Sequence, residues 1–275
     1  NFDRRAVAAL AAAGILWGCT VPATKLAVHY LAPGWLTIVR FGLAAAILLV
    51  ARRRHLRAAC RPAILAWGAI GYGGTIFMQN AGVLRTSVSH AALLVGATPV
   101  LVAIISAARF RAVARPLVWA GYAVSLAGVV LIAGAGARGG ATMAGDGLVL
   151  LSLVLSASFT VAQTRLLPGR DPVAVTAVQF AAATLAMLPV AVLTEPLPHG
   201  AALSGGLPVV LGLAIGTIAP FTLFAYGQSR VSAAAAAPFL NLEPLVGAAI
   251  GVVAFGDPFG LLQLAGAVAI VAGSR

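Results

Sequence analysis

"DPVAVTAVQFAAATLAMLPVAVLTE" (Asp171 to Glu195) begins and ends on an acid and carries no charge in between. The uncharged run is about 20 residues long, the length at which a helix crosses the hydrocarbon of a bilayer. Lipid offers no water to a bare peptide group, so a spanning chain must be a helix or a closed barrel. A barrel needs sustained apolar/polar alternation. No stretch of this sequence shows it, so the run reads as a membrane helix.

Working outward, nine more runs of similar character appear. The ten lie at about 6–28, 34–51, 63–84, 88–108, 117–136, 147–166, 173–194, 205–228, 233–254 and 259–274. Short loops between them make consecutive helices antiparallel neighbours. The whole chain, 275 residues, is 61% hydrophobic and only 9% charged, with a mean hydropathy of +1.03. A soluble domain is usually about 25% charged. The first run leads into further spans and has no cleavage-site pattern behind it, so it reads as a helix and not as a signal peptide.

The net charge of +12 follows from 18 Lys+Arg against 6 Asp+Glu. A basic balance can signal nucleic acid. Here the arginines fall in short loops between apolar runs, where they set orientation. With the N-terminus in the cytoplasm, fourteen arginines lie on the inner side, and Arg85 and Arg138 on the outer side. Lys25 and Arg40 fall within runs. Asp146, Glu195 and Asp257 fall outside. The expected localisation is a bacterial inner membrane, with both termini cytoplasmic. Cys19 and Cys60 lie in different environments, so neither a disulfide nor a metal site is expected.

The second half echoes the first. At an offset of 140, Thr20, Val21, Thr24, Lys25 and Leu26 meet Thr160, Val161, Thr164, Arg165 and Leu166. At 145, Gly82, Arg85, Ser87 and Pro99 meet Gly227, Arg230, Ser232 and Pro244. Five helices is an odd number, so the second copy enters from the opposite side. The fold class expected is an all-α membrane protein of ten transmembrane helices in two inverted five-helix repeats, 1–137 and 145–275. Inverted repeats characterise secondary transporters, whose substrate sites lie near the midplane between the halves.

Several stretches resemble the EamA branch of the drug/metabolite transporter superfamily. "LWGCTVPATK" (Leu16 to Lys25) is similar to its first-helix pattern, Arg40-Phe41 to its second, and "NLEPLVGAAIGVVAFGD" (Asn241 to Asp257) to its ninth. Asp257 stands where the family places a Glu, and the first half, "TPVLVAIISAARF" (Thr98 to Phe110), lacks that acid. The resemblance implies an exporter of amino acids or other small metabolites working by alternating access. Size and helix count are similar to YddG-type aromatic amino acid exporters within the family. Related branches move sugar phosphates and nucleotide-sugars, and a passive channel or facilitator for small solutes is the reading from another class.

Polar groups at membrane depth are costly and mark candidate sites. Glu243 is the one acid inside a run, about midway along the ninth, beside Pro244 and near Asn241. It either handles substrate or a proton, or it makes a structural ion pair, with Arg40 as the obvious partner. On the third run Trp67, Gly71, Thr75 and Gln79 share a face, with Asn80 adjacent. Trp17, Thr20 and Thr24 share a face of the first run. Ser156, Thr160, Gln163 and Thr164 lie along the sixth, and Phe221, Phe224, Tyr226 and Gln228 lie on the eighth. Each is open to a second reading as helix packing or interhelical hydrogen bonding. The substrate-binding candidates are Trp17, Thr20, Thr75, Gln79, Asn80, Thr160, Gln163, Tyr226, Asn241 and Glu243. Lys25 and Arg165 are expected to snorkel to the interface, and His90 to sit at the outer surface.

Enzyme signatures are missing from the sequence: no paired-acid metal motif, no HExxH, no phosphate loop and no Cys/His cluster. No catalytic residue, cofactor or metal is expected. The expected partners are a small-molecule substrate and membrane lipid, with no nucleic acid and a monomer as the simplest assembly.

Overall fold

In a computed structural model the chain is described over residues 3–110, 116–135, 142–198, 200–231, 236, 239–240, 242–257 and 259–273. Among these residues there is no strand. The helices are α1 (Arg4–Ala27), α2 (Pro33–Ala51), a short α3 (Leu56–Ala59), α4 (Pro62–Trp67), α5 (Thr75–Leu84), α6 (Val88–Val95), α7 (Thr98–Phe110), α8 (Pro116–Ala135), α9 (Met143–Leu166), α10 (Pro172–Thr194), α11 (Gly200–Gln228), α12 (Leu242–Phe255) and α13 (Leu261–Gly273). A π-helical segment, Gly68–Gly74, joins α4 to α5.

Among the described residues, six segments are long and apolar enough to cross a membrane: Arg4–Ala27, Pro33–Ala51, Val88–Arg109, Met143–Leu166, Pro172–Thr194 and Gly206–Gln228. α12 is a shorter apolar helix. The expected ten-span count asks more of the remaining segments. The run at 63–84 is divided by the π-helical turn, and α12 and α13 have 14 and 13 residues.

Local signals explain several helix starts. Asp3, Ser87, Thr142 and Asp171 each present a side-chain oxygen to a free first-turn N–H. Pro33, Pro62 and Pro172 occupy first positions, where the missing N–H costs nothing. Gly169, at φ 72°, lets the chain turn between α9 and α10.

Helices of the first half pack on helices of the second. α1 lies against α11 and α12, and α9 against α5 and α7. α2 pairs with α10, α6 with α12, and α8 with α13. Helix association in lipid depends on close van der Waals approach, which small residues permit. A Cβ at Gly68 would lie 2.6 Å from the Gln179 backbone, and one at Gly71 would lie 2.3 Å from the Phe159 ring. Those two glycines let α10 and α9 close on the π-helical segment.

The surface is inverted relative to a water-soluble protein. Val50, Leu193 and Val253 are 74%, 83% and 86% exposed, while Arg40, Gln163 and Gln179 are 2% exposed or less. Apolar side chains outside and polar ones inside is what lipid selects.

Candidate functional site: a central cavity

One cavity opens where α1, α2, the π-helical segment, α5, α9, α11 and the start of α12 converge. About 80 Å3 of it is open to the centre of a water molecule. The aromatic wall comes from rings that interlock around it. Trp17 meets Phe221 edge-on at 5.0 Å and Phe224 at 4.9 Å. Tyr72 meets Phe159 at 4.5 Å and Phe221 at 5.0 Å. Phe41 stacks on Phe180 at 4.7 Å behind them. Such a wall suits an apolar ligand surface.

Two opposite charges line the same space, Arg40 from α2 and Glu243 from α12. Nε of Arg40 donates to Oγ1 of Thr217 at 2.5 Å, and the Thr217 hydroxyl donates to the Leu213 carbonyl. The guanidinium also lies 5.8 Å from the Phe221 ring and 5.9 Å from Phe41, within cation–π range. Glu243 is the one acidic side chain among the described residues that lines the cavity with it. Among the described residues no ion pair within 4.0 Å joins the two.

Further polar groups converge on the space. Oγ1 of Thr75 is buried with no hydrogen-bond partner, which in a native interior calls for water or a ligand. Gln79, Ser156 and Thr160 line the cavity as well. Thr20 and Thr98 also line it, but the Thr20 hydroxyl donates to the Trp17 carbonyl of its own helix and the Thr98 hydroxyl to the Val95 carbonyl at the end of α6.

Of the residues singled out from sequence, the cavity gathers Trp17, Thr20, Thr75, Gln79, Thr160 and Glu243. Asn80 lies beside it but is turned to α2, donating to Oγ1 of Thr37 at 3.0 Å and to the Pro33 carbonyl at 3.3 Å. Gln163 exchanges hydrogen bonds with Gln179 at 3.3 and 3.1 Å. Tyr226 is covered by the Arg230 guanidinium, 3.7 Å from its ring centre. Asn241 lies outside the described residues. Glu243 stands in the first turn of α12, not midway along a helix, and Pro244 follows in that same turn, where the missing N–H is tolerated.

Three expectations change at the other end of the bundle. His90 is not an outer-surface residue. It is 3% exposed, with Nδ1 2.9 Å from Oδ1 of Asp146. Asp146, expected outside the spans, is itself buried in the first turn of α9. Lys25 does not snorkel, because its Nζ donates to the carbonyls of Val83 at 2.9 Å and Thr86 at 2.6 Å. A cation there is favoured beside the carbonyl end of α5. Asp257 likewise reaches across, its Oδ2 accepting from the Ser89 amide at 2.6 Å near the start of α6.

The cavity role of Arg40 was only half visible in the sequence, where its depth singled it out for pairing. The contributions of Tyr72, Ser152 and Phe159 were not visible at all. Among the described residues no group of three His, Cys, Asp or Glu side chains could hold a metal ion.

Comparison with known proteins fits this geometry. The EamA-like transporter family matches the chain twice, over residues 4–134 and 143–275. The uncharacterized transporter YdfC of Bacillus subtilis (strain 168) is 27% identical over 263 residues, covering 94% of this chain and 86% of that protein. A solved crystal structure aligns with a TM-score of 0.72 over 98% of this chain and 95% of its own, at 23% identity, a likeness of fold alone.

Proposed function

The chain belongs to the EamA-like transporter family, and from that premise we propose that it exports amino acids, aromatic ones included, by alternating access between two inverted five-helix repeats. The chain is a multi-pass membrane protein of a small-solute transporter family. The proposal adds ten spans, a bacterial inner membrane, cytoplasmic termini, and the substrate and direction of transport.

One observation carries the substrate reading. Arg40 and Glu243 line one cavity beside an aromatic wall, with no direct ion pair between them. A zwitterion completes such an arrangement. Its carboxylate takes the free end of the guanidinium in a charge-assisted contact, its ammonium takes the carboxylate of Glu243, and its side chain meets Trp17, Phe221 and Phe224. Contacts spread over several groups also allow release, which a carrier requires.

The packing supports the two-repeat reading. α1 on α11 corresponds to α9 on α5, and α1 on α12 corresponds to α9 on α7, when the halves are exchanged. The self-corresponding pairs, α2 with α10, α6 with α12 and α8 with α13, are in contact as well. Such exchange symmetry suits a site that alternates its access.

Counterflow in proteoliposomes against a panel of amino acids tests the reading. Saturable exchange of an aromatic amino acid, competed by its neighbours, is the expected result. No exchange of any amino acid, with exchange of another metabolite class, overturns it.

A further inference from the structure

A second site lies at the end of the bundle opposite the His90–Asp146 pair. There the loop after α2 and the turn between α9 and α10 enclose a cleft of about 500 Å3. Arg54, Arg57 and Arg61 enter it from one side and Arg170 from the other. The loop is anchored. Ala59 is buried and Leu56 packs with Leu166, Leu167, Ala174 and Val175 of the second half. The short α3 therefore holds its arginines against the α9–α10 turn. Arg170 is fixed as well, its Nη1 donating to the Leu166 carbonyl at 2.9 Å.

The single acid in the cleft is already engaged. Oδ1 of Asp171 accepts from the Ala174 amide at 2.9 Å, and its Oδ2 is 3.9 Å from Nε of Arg52. Among the described residues, Arg54, Arg57, Arg61 and Arg170 make no ion pair with any acid. Loop orientation rules account for arginines in cytoplasmic loops. They do not account for arginines of two separate loops facing one concavity. Four uncompensated guanidiniums around such a volume fit a phosphate group, which guanidinium forks bind with matched geometry.

We propose that this cleft binds the phosphodiester headgroup of an anionic phospholipid. Phosphate chemistry is available from water too, but the surroundings favour lipid. α2 and α4, which flank the loop, present Val50 and Leu65 to the outside at 74% and 42% exposure. Acyl chains have an apolar surface beside a headgroup seated at the helix ends. Basic pockets at the cytoplasmic ends of membrane helices have this chemistry in general. The lipid bridges the two halves of the chain at that end, and so stabilises their packing.

The test is the melting temperature of the purified full chain in neutral detergent, with added phosphatidylglycerol, phosphatidylcholine or inorganic phosphate. Phosphatidylglycerol is expected to raise the midpoint by several degrees more than phosphatidylcholine does, with the difference shrinking in high salt. R57Q/R61Q is expected to lose most of that increment, and R4Q/R5Q, which removes equal charge from the same end, is expected to keep it. Equal response of both double variants, or no preference for phosphatidylglycerol in the wild type, overturns the proposal. An equal rise with inorganic phosphate alone overturns the lipid assignment in favour of a soluble anion. Native mass spectrometry of the wild type gives a reading that does not depend on variant folding. A retained phosphatidylglycerol adduct is expected, and its absence overturns the site.

Discussion

His90 and Asp146 meet with Nδ1 and Oδ1 2.9 Å apart, both buried, joining the start of α6 in the first half to the start of α9 in the second. The Thr86 hydroxyl donates to the same carboxylate oxygen at 3.0 Å. Breaking one partner of a buried hydrogen bond costs about 1–3 kcal/mol. Asp146→Asn is therefore expected to lower the melting temperature in detergent by several degrees. A double-mutant cycle with His90→Asn should show coupling, since contacting residues are non-additive. Additive effects within experimental error would remove the pair from the stability account.

Gln79 on α5 and Tyr226 on α11 separate two readings of the substrate path. Gln79 lines the cavity, whereas Tyr226 is stacked under Arg230. Gln79→Ala is expected to reduce transport at least several-fold with folding intact. Tyr226→Ala should transport like wild type. The reverse pattern in proteoliposome uptake would move the substrate path away from this cavity.

The Gln163–Gln179 pair calls for a different test, because each amide both gives and receives. Removing one leaves the other unsatisfied in the interior, at about 1–3 kcal/mol, while removing both leaves nothing unpaired. Gln163→Leu and Gln179→Leu are each expected to melt earlier than the double variant. A double variant less stable than both singles counts against the pair as a packing element.

Orientation rests on the loop "RRRHLRAACR" (Arg52 to Arg61), which holds five arginines and an exposed Cys60. In a Cys19→Ser background, an impermeant thiol reagent applied to intact cells should leave Cys60 unmodified and label it after lysis. Efficient labelling from outside would reverse the orientation.

How much of this was legible in the sequence depends on the physics behind each signal. The six long apolar runs were, because lipid imposes length and composition on any helix that crosses it; Pro172–Thr194 coincides with the run expected at 173–194. The break in the third run was less so. "GAIGYGG" (Gly68 to Gly74) reads as small-residue packing, which the close approach of Gln179 and Phe159 matches, but nothing in that composition marks a π-helical turn. The cavity was legible in part, because polar groups at mid-depth are few. A helical face, however, does not say which neighbour it meets. Gln163 found Gln179 on α10, and the Asn80 amide N–H found Thr37 on α2, each partner on a different helix. The inward turn of Lys25, His90 and Asp146 was hidden for the same reason. Only the packing of α5, α6 and α9 shows that these ends are covered by protein.

Glu243 carries the last prediction. It lines the cavity with Arg40 and makes no direct ion pair with it among the described residues. As a structural ion-pair member it would be needed for stability. As a coupling group it would be needed for the cycle, holding a proton when the site is empty and the substrate ammonium when it is full. Exchange of those two occupants on one carboxylate links proton entry to substrate exit. Glu243→Gln distinguishes these roles, because Gln keeps the size and the hydrogen-bonding capacity but cannot release a proton. In the coupling role the variant is expected to melt within a degree or so of wild type, since a carboxyl that holds a proton in the empty site is already uncharged there and no direct salt bridge is lost. It is expected to retain downhill exchange in counterflow and to lose the pH dependence of net transport. A large fall in melting temperature with an unchanged pH profile would assign Glu243 to structure. A variant that both melts and transports like wild type across the pH range would remove it from the mechanism.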